Sequence, residues 1–423
     1  MKVVVLGSGV IGVTTAYYLA KAGCTVIVVD RQREPARETS FANAGLIAVG
    51  HPFVWATPEA PRTLLLSLLK RDGPLRLSRP HDPRLWPWGV RFLSRCTRSR
   101  AEAAAEVMYR LARYSQHRLA ELVRETAIRF HRSRRGVLYF YRNAANFERA
   151  VGEMAKVRDW GHEVEILDPD GCVAVEPALA PIRSSLAGAV HCPTDESGDC
   201  HAFTMKLAEW CREHGVGFRL GTRIRSLDRR GGRIAAVMTD TGPISGDAFV
   251  LALGSYSPIV ARSAGLRLPI YPVKGYSVTV PITNPELAPA MGGADQDGLV
   301  GYSPLGNSLR LTSTAEFAGY DTSYCMGDAE PLLRRGRELF GRGLDFNRIR
   351  LWSCLRPMTP DGPPVLGRCR FDNLFLNTGH GHMGWTLACG SGKVVADTIV
   401  GSTPEPDMSG LSHARYRWRP RPG

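Results

Sequence analysis

Residues 3 to 30, VVVLGSGVIGVTTAYYLAKAGCTVIVVD, constrain the fold of this chain more than any other stretch. A β-branched run breaks into Gly-x-Gly-x-x-Gly, continues with apolar residues at helical spacing (Val13, Ala16, Tyr17, Ala20), and closes with a second β-branched run ending in Asp30. This is the pattern of a dinucleotide-binding strand, turn, helix and strand. Gly7 permits a sharp exit from the strand, Gly9 removes a side chain where a pyrophosphate approaches the backbone, and Gly12 permits close helix packing. Phosphates then sit on the free N–H groups and positive end of the helix. Asp30 stands where a carboxylate can accept hydrogen bonds from ribose hydroxyls. The cofactor residues expected from this unit are Val3, Val4, Val5, Leu6, Gly7, Ser8, Gly9, Val10, Ile11, Gly12, Val13, Asp30 and Arg31. The fingerprint by itself leaves NAD and FAD open.

The chain has 423 residues, 44% apolar and 22% charged, enough for two packed cores. With 54 Lys and Arg against 40 Asp and Glu, its +14 charge favours anionic partners: a nucleotide cofactor, carboxylate substrates or an acidic membrane face. The basic residues form only short clusters (Arg95, Arg98 and Arg100; Arg132, Arg134 and Arg135; Arg334, Arg335 and Arg337) without a nucleic-acid motif, so no nucleic-acid partner is expected. Ten cysteines without a CxxC pair read as buried thiols in a reducing compartment. No apolar run reaches the roughly 20 residues of a membrane span, and the N-terminal apolar run is too short for a signal peptide. The expected location is the cytoplasm, either free or peripheral on the inner face of the plasma membrane.

Two further stretches, 246–257 and 372–381, read as buried strands, the first ending at Gly254 and the second in glycines before a helix. Three separated strands thus end in small-residue turns, as a cofactor crevice requires. Residues 31–50 form a polar loop of small residues where an NAD enzyme would run into another helix. Residues 51–100, with Trp55, Trp86 and Trp88, predict loops and short helices; 101–126 predict an amphipathic helix about 39 Å long. The alternation in 136–142, 276–282 and 307–314 predicts an antiparallel sheet roofing the cofactor.

Taken together, VVVLGSGVIGV, ETSFANAG, DESGDCHAFT (195–204), PVKGYSVTVPI (272–282), LRPMTPDGPPVLGR (355–368) and NTGHGHMGWTLACGSG (377–392) resemble the D-amino-acid dehydrogenase small-subunit family, among glycine-oxidase-like and D-amino-acid-oxidase-like flavoproteins. The resemblance implies FAD and an α/β fold: a Rossmann-type FAD-binding domain interleaved with an α+β substrate domain carrying a mostly antiparallel sheet. The expected division gives 1–50, 190–265 and 350–410 to FAD, 51–189 and 266–349 to substrate, and 411–423 to a basic tail. It adds Ser40, Asn43, Ala44, Gly45, Leu46, Ile224, Gly254, Gly379, His380, Gly381, Met383 and Gly384 to the cofactor set. Two places depart from the family pattern: LIAVGHPFVWATPEA stands where QISPGYATPWA is usual, and His382 and Met383 replace a small residue and Leu.

The resemblance implies oxidative deamination of D-amino acids to 2-oxo acids and ammonia, with a quinone or carrier protein as respiratory acceptor and a second subunit or peripheral membrane contact as further partners. Alternatives are an amine oxidoreductase for glycine, sarcosine or D-hydroxyproline, and a flavin subunit of a larger complex. The chemistry needs a held carboxylate, a neutral amine and an α C–H aimed at the flavin. Arginine's planar fork suits the carboxylate, and the family places that arginine at Arg356; the alternative is a structural Arg356 paired with Asp361. Tyr276 and Tyr302 are weaker candidates for a second carboxylate contact. GHGHMGWTLACGSG (379–392) places His380, His382 and Cys389 near one another, but a glycine-rich turn followed by an apolar helix reads as a flavin platform without metal. His382, a departure from the pattern, is expected to face the substrate.

Overall fold

The computed structural model describes residues 1–68 and 75–416. Its first sheet has six strands in the order Val365–Arg368, Leu374–Thr378, Ala248–Leu251, Lys2–Leu6, Thr25–Val29 and Gly217–Arg219, all parallel except the first. The central strand is buried on both faces: Val3 and Val5 pack into one apolar cluster, Val4 and Leu6 into another. That two-sided burial explains an unbroken β-branched run where a half-exposed strand would alternate.

One face of this sheet carries the helices Val10–Lys21, Arg98–Thr126, Cys200–Glu213 and Gly384–Val400, packed on one another. Small residues allow their close approach. A Cβ at Gly390 would lie 2.8 Å from the Ser115 Cβ, and one at Gly392 only 3.0 Å from the Thr14 backbone. The Thr14 hydroxyl donates to Ala388 O at 3.0 Å across the same contact. The opposite face carries the three-stranded sheet Ile224–Arg230, Arg233–Thr239 and Gly242–Ser245 with the short helix Ser257–Ser263.

The second large sheet runs Arg350–Met358, Tyr271–Pro281, Ser308–Glu316, Val300–Leu305, Gly292–Asp295, Val137–Tyr141, Gly188–Cys192 and Glu165–Leu167, with Leu75–Arg76 beside Ser308–Glu316. It is mostly antiparallel; helix Met326–Phe340 and the apolar residues around Leu309, Leu311 and Val278 cover its outer face. Residue 350 is not a border between the two halves, because Arg350–Met358 is hydrogen-bonded along Tyr271–Pro281 and extends the second sheet. The same holds at 190, which falls inside Gly188–Cys192. The described residues of 51–100 form loops and the short helices Ala60–Leu68 and Leu85–Leu93, and Arg98–Thr126 is one helix ending at Ala127, left-handed at φ 52°. Residues 69–74 and 417–423, including much of the expected basic tail, lie outside the described residues. No helix among the described residues is long and apolar enough to cross a membrane.

Candidate active site

Between the two sheets lies a cavity of about 1040 Å³, beyond the top of the range of about 300–1,000 Å³ usual for small-molecule pockets. The carboxyl ends of four parallel strands open into it through Gly7 and Gly9, Asp30 and Arg31, Ala252 to Gly254, and His380 to Gly384. Ligands of doubly wound sheets bind at this edge.

The glycine turn is built for close approach. Gly7 sits at φ +110°, where any Cβ would also lie 2.5 Å from Ala252 O, and a Cβ on Gly12 would lie 1.9 Å from Gly7 O. Gly9 cannot cap its helix, and the cap comes from the following loop: Val10 N–H donates to Ser40 Oγ at 3.0 Å. Asp30 Oδ2 accepts from Ser8 N (2.6 Å) and Ser8 Oγ (2.9 Å), and its Oδ1 from Gln32 N (2.8 Å). This carboxylate therefore ties the turn to the second strand. Arg31 pairs with Glu38 and lies over the Tyr256 ring, 3.9 Å from its centroid.

The expected cofactor residues separate into two groups. Gly7, Gly9, Val10, Ile11, Asp30, Arg31, Ser40, Asn43, Ala44, Gly45, Leu46, Ile224, Gly254, His380, Gly381, Met383 and Gly384 line the cavity. Val3, Val4, Val5, Leu6 and Val13 are instead sheet and helix core, Ser8 is turned onto Asp30, Gly12 packs on Gly7, and Gly379 packs on Thr359. None of these eight lines the cavity. A fingerprint marks the scaffold together with the contact surface, and sequence alone does not separate them.

The cavity suits an FAD molecule. Gly9 and Gly254 leave room along the crevice, with nothing within 4 Å of where a Gly254 Cβ would stand. The buried atoms Asn377 Oδ1 and Trp385 Nε1, on two cavity-lining residues, have no protein hydrogen-bond partner. Gly7, Gly9 and Val10 would hold the pyrophosphate, and Ser40 to Leu46 with His380 to Gly384 the ring system.

Arg356 stands on the opposite wall. Its guanidinium lies over Gly275, where a Cβ would come within 2.4 Å of Nη1, and Nη1 donates to Thr314 O at 2.7 Å. It makes no ion pair among the described residues; Asp361 instead pairs with Arg415 at 2.9 Å. Burial pulls the Arg356 pKa below its usual value, consistent with a cation that lacks a carboxylate. Its strand is clamped onto the cofactor loops: the hydroxyls of Thr39 and Ser255 both donate to Leu355 O at 2.9 Å, and Gly381 N–H donates to Pro357 O at 3.0 Å.

The two tyrosines differ. Tyr276 lines the cavity, but its hydroxyl donates to Glu316 Oε2. Tyr302 does not reach the cavity: it packs on Phe340 and Phe140 in the core behind the sheet. Strand alternation is the reason, since Gly301 takes the cavity face and turns its neighbour away.

His382 lines the cavity and stacks on Trp55, with ring centroids 5.6 Å apart and planes at 19°. His382 is exposed where it lines the cavity; desolvation, then the nearby His51 and Arg356, lower its pKa to about 3. His51 stacks on Tyr139 at 4.7 Å, and burial lowers it to about 4. Both rings are neutral at pH 7. His380 is fully packed, with Nε2 3.1 Å from Ser391 Oγ. Among the described residues the trio with metal-ligand spacing is His162, Cys192 and Asp195, none of which belongs to the 379–392 motif; Asp195 accepts from Val49 and Gly50 N–H.

Sequence reasoning did not single out His51, Trp55, Leu355 or Ser255 as parts of one wall. His51 and Trp55 lie within LIAVGHPFVWATPEA, the stretch that departs from the family pattern, and that departure was the available signal.

A family model described as DAO, FAD dependent oxidoreductase, matches residues 2–398. The chain is 46% identical over 418 residues to a D-amino acid dehydrogenase of Paramagnetospirillum magneticum, covering 98% of this chain and 99% of that one. It is 42% identical over 412 residues to D-amino acid dehydrogenase 2 of Mesorhizobium japonicum, at 97% and 99% coverage. Among solved structures, glycine oxidase from Geobacillus kaustophilus superposes with a TM-score of 0.75 at 23% identity, covering 98% of this chain and 99% of that one. That likeness concerns the fold.

Proposed function

Because this chain belongs to the DAO family of FAD-dependent oxidoreductases, we propose that it oxidises D-amino acids to 2-oxo acids and ammonia, using FAD as its electron acceptor. The observation that carries this reading is Arg356: a half-buried guanidinium on the cavity wall, without an acidic partner among the described residues, seated over Gly275, whose missing Cβ makes room for it. A carboxylate placed there meets a planar fork of N–H donors.

FAD held in the cavity would supply the acceptor for the hydride that leaves the substrate α carbon. The chain's own residues prepare that step. Arg356 holds the carboxylate and, with burial, disfavours the ammonium form of the substrate amine, at about 1.4 kcal/mol per pKa unit. His51 and His382, both neutral, present polar but uncharged rings to the substrate. Trp55 buttresses His382, and together they limit the space for the substrate side chain. The clamp on Leu355 keeps Arg356 at a set distance from the flavin loops.

Electrons then leave to a quinone or other respiratory acceptor, with the protein held peripherally at a membrane. Anaerobic mixing tests the reading. D-Alanine should bleach the flavin absorbance, while L-alanine, glycine and sarcosine should not; bleaching by glycine or sarcosine alone would replace D-amino acids with those amines. Reoxidation by a quinone analogue much faster than by air would mark a dehydrogenase.

A further inference from the structure

Part of the cavity wall is a single layer of helix whose outer side is also apolar. Helix Ala60–Leu68 contributes Ala60 and Leu64 to the wall, while Leu65 and Leu66 are 64% and 49% exposed. Helix Leu85–Leu93 contributes Trp88 and Phe92 to the wall, and Trp86, Val90 and Leu93 stand 63%, 66% and 50% exposed. The inner faces of both helices meet in one apolar cluster with Tyr271, Phe317 and Met358. Residues 86, 90 and 93 are spaced as one helical stripe. A helix apolar on two sides has one side too many for a water-facing wall, and the extra side marks a contact surface.

Charge selects the partner. Arg62, Arg79, Arg84 and Arg91 are exposed on and between these two helices, and Arg62 and Arg91 make no ion pair among the described residues. Apolar side chains including a tryptophan, ringed by guanidiniums, fit the interface of an anionic bilayer: the hydrocarbon receives the former, and lipid phosphates meet the latter. A helix is about 10–12 Å across, so a bilayer bound here lies about one helix diameter from the cavity.

We infer that the outer faces of helices Ala60–Leu68 and Leu85–Leu93 dock the protein on an anionic lipid bilayer, which presents a lipid-soluble quinone to the cavity. This rests on the dehydrogenase reading above. The amino acid gives up two electrons and two protons in becoming an imino acid, and the quinone receives both pairs to become the quinol. Water then converts the imino acid to the 2-oxo acid and ammonia.

The test uses the full-length FAD-loaded protein. Flotation compares phosphatidylcholine vesicles with and without phosphatidylglycerol, for wild type, Trp86→Ser/Val90→Ser/Leu93→Ser and Arg62→Glu/Arg91→Glu. Wild type should float with the anionic vesicles at low salt, and each variant should lose at least tenfold in binding. Turnover with a water-soluble dye should be unchanged in both variants, which also reports that they fold, while turnover with a quinone embedded in anionic vesicles should fall tenfold or more. Wild type failing to float, variants floating as well as wild type, or equal flotation without phosphatidylglycerol would each overturn the inference. Should no D-amino acid bleach the flavin, the dehydrogenase reading falls, and flotation still decides the docking surface.

Discussion

The two walls of the cavity are made in opposite ways. The glycine wall comes from one contiguous unit: Gly7, Gly9 and Val10 follow a buried strand, Gly12 locks the helix onto Gly7, and Asp30 ties the turn to the next strand. The arginine wall is assembled from Gly275, Thr314 and Arg356 on three neighbouring strands, with His51, Trp55 and His382 on two distant loops. A wall whose parts are covalent neighbours has few ways to vary. One built from remote parts can change a loop without disturbing the strand that carries its arginine, and both departures from the family pattern fall there.

Substitutions on the two walls should therefore fail differently. The largest effect is expected at Gly12→Val, whose Cβ would overlap Gly7 O at 1.9 Å; purified protein should lack the flavin absorbance near 450 nm or fail to accumulate. A normally flavin-loaded variant would break the view of this turn as rigid. Next, Arg356→Ala should retain FAD yet lose on the order of 100-fold in kcat/KM for D-alanine, about 3 kcal/mol for a charged hydrogen-bonded contact. Arg356→Lys should recover only part of the loss, because an ammonium lacks the fork. An unchanged KM in the alanine variant would remove the carboxylate role.

Acid should act through the buried histidine of the cofactor turn. Burial holds His380 to about 3 against an ordinary 6.5, so the unfolded chain takes up the proton first. The stability this withholds is intact above pH 6.5 and is lost as pH falls toward 3. Between pH 7 and pH 4 the loss is about 3 kcal/mol, and urea midpoints should fall less steeply for His380→Gln. Equal slopes would locate acid sensitivity elsewhere. The smallest effect on substrate binding is expected at Tyr276→Phe. Its hydroxyl is already given to Glu316, so KM should move less than about threefold while stability drops by about 1 kcal/mol. A large rise in KM would show that the hydroxyl turns to the substrate. Beside it, His382→Thr should keep FAD and change the order of preferred amino acids by widening the space next to Trp55.

Sequence by itself determined the turn and its strands, because period, glycine spacing and terminal acid are local properties of residues 3–30, and backbone sterics translate them directly into geometry. It also carried the arginine, through a motif, and the helix Arg98–Thr126, through its apolar stripe. Only the tertiary structure decided that Asp361 belongs to Arg415 and leaves Arg356 without an acid among the described residues, that Tyr302 faces the core while Gly301 faces the cavity, and that His382 lies on Trp55. Those outcomes depend on which strand face turns inward and which loops meet across more than 300 residues of chain, as Thr39 meets Leu355. No periodicity records such a meeting, because it is set by how two separately built sheets close on each other.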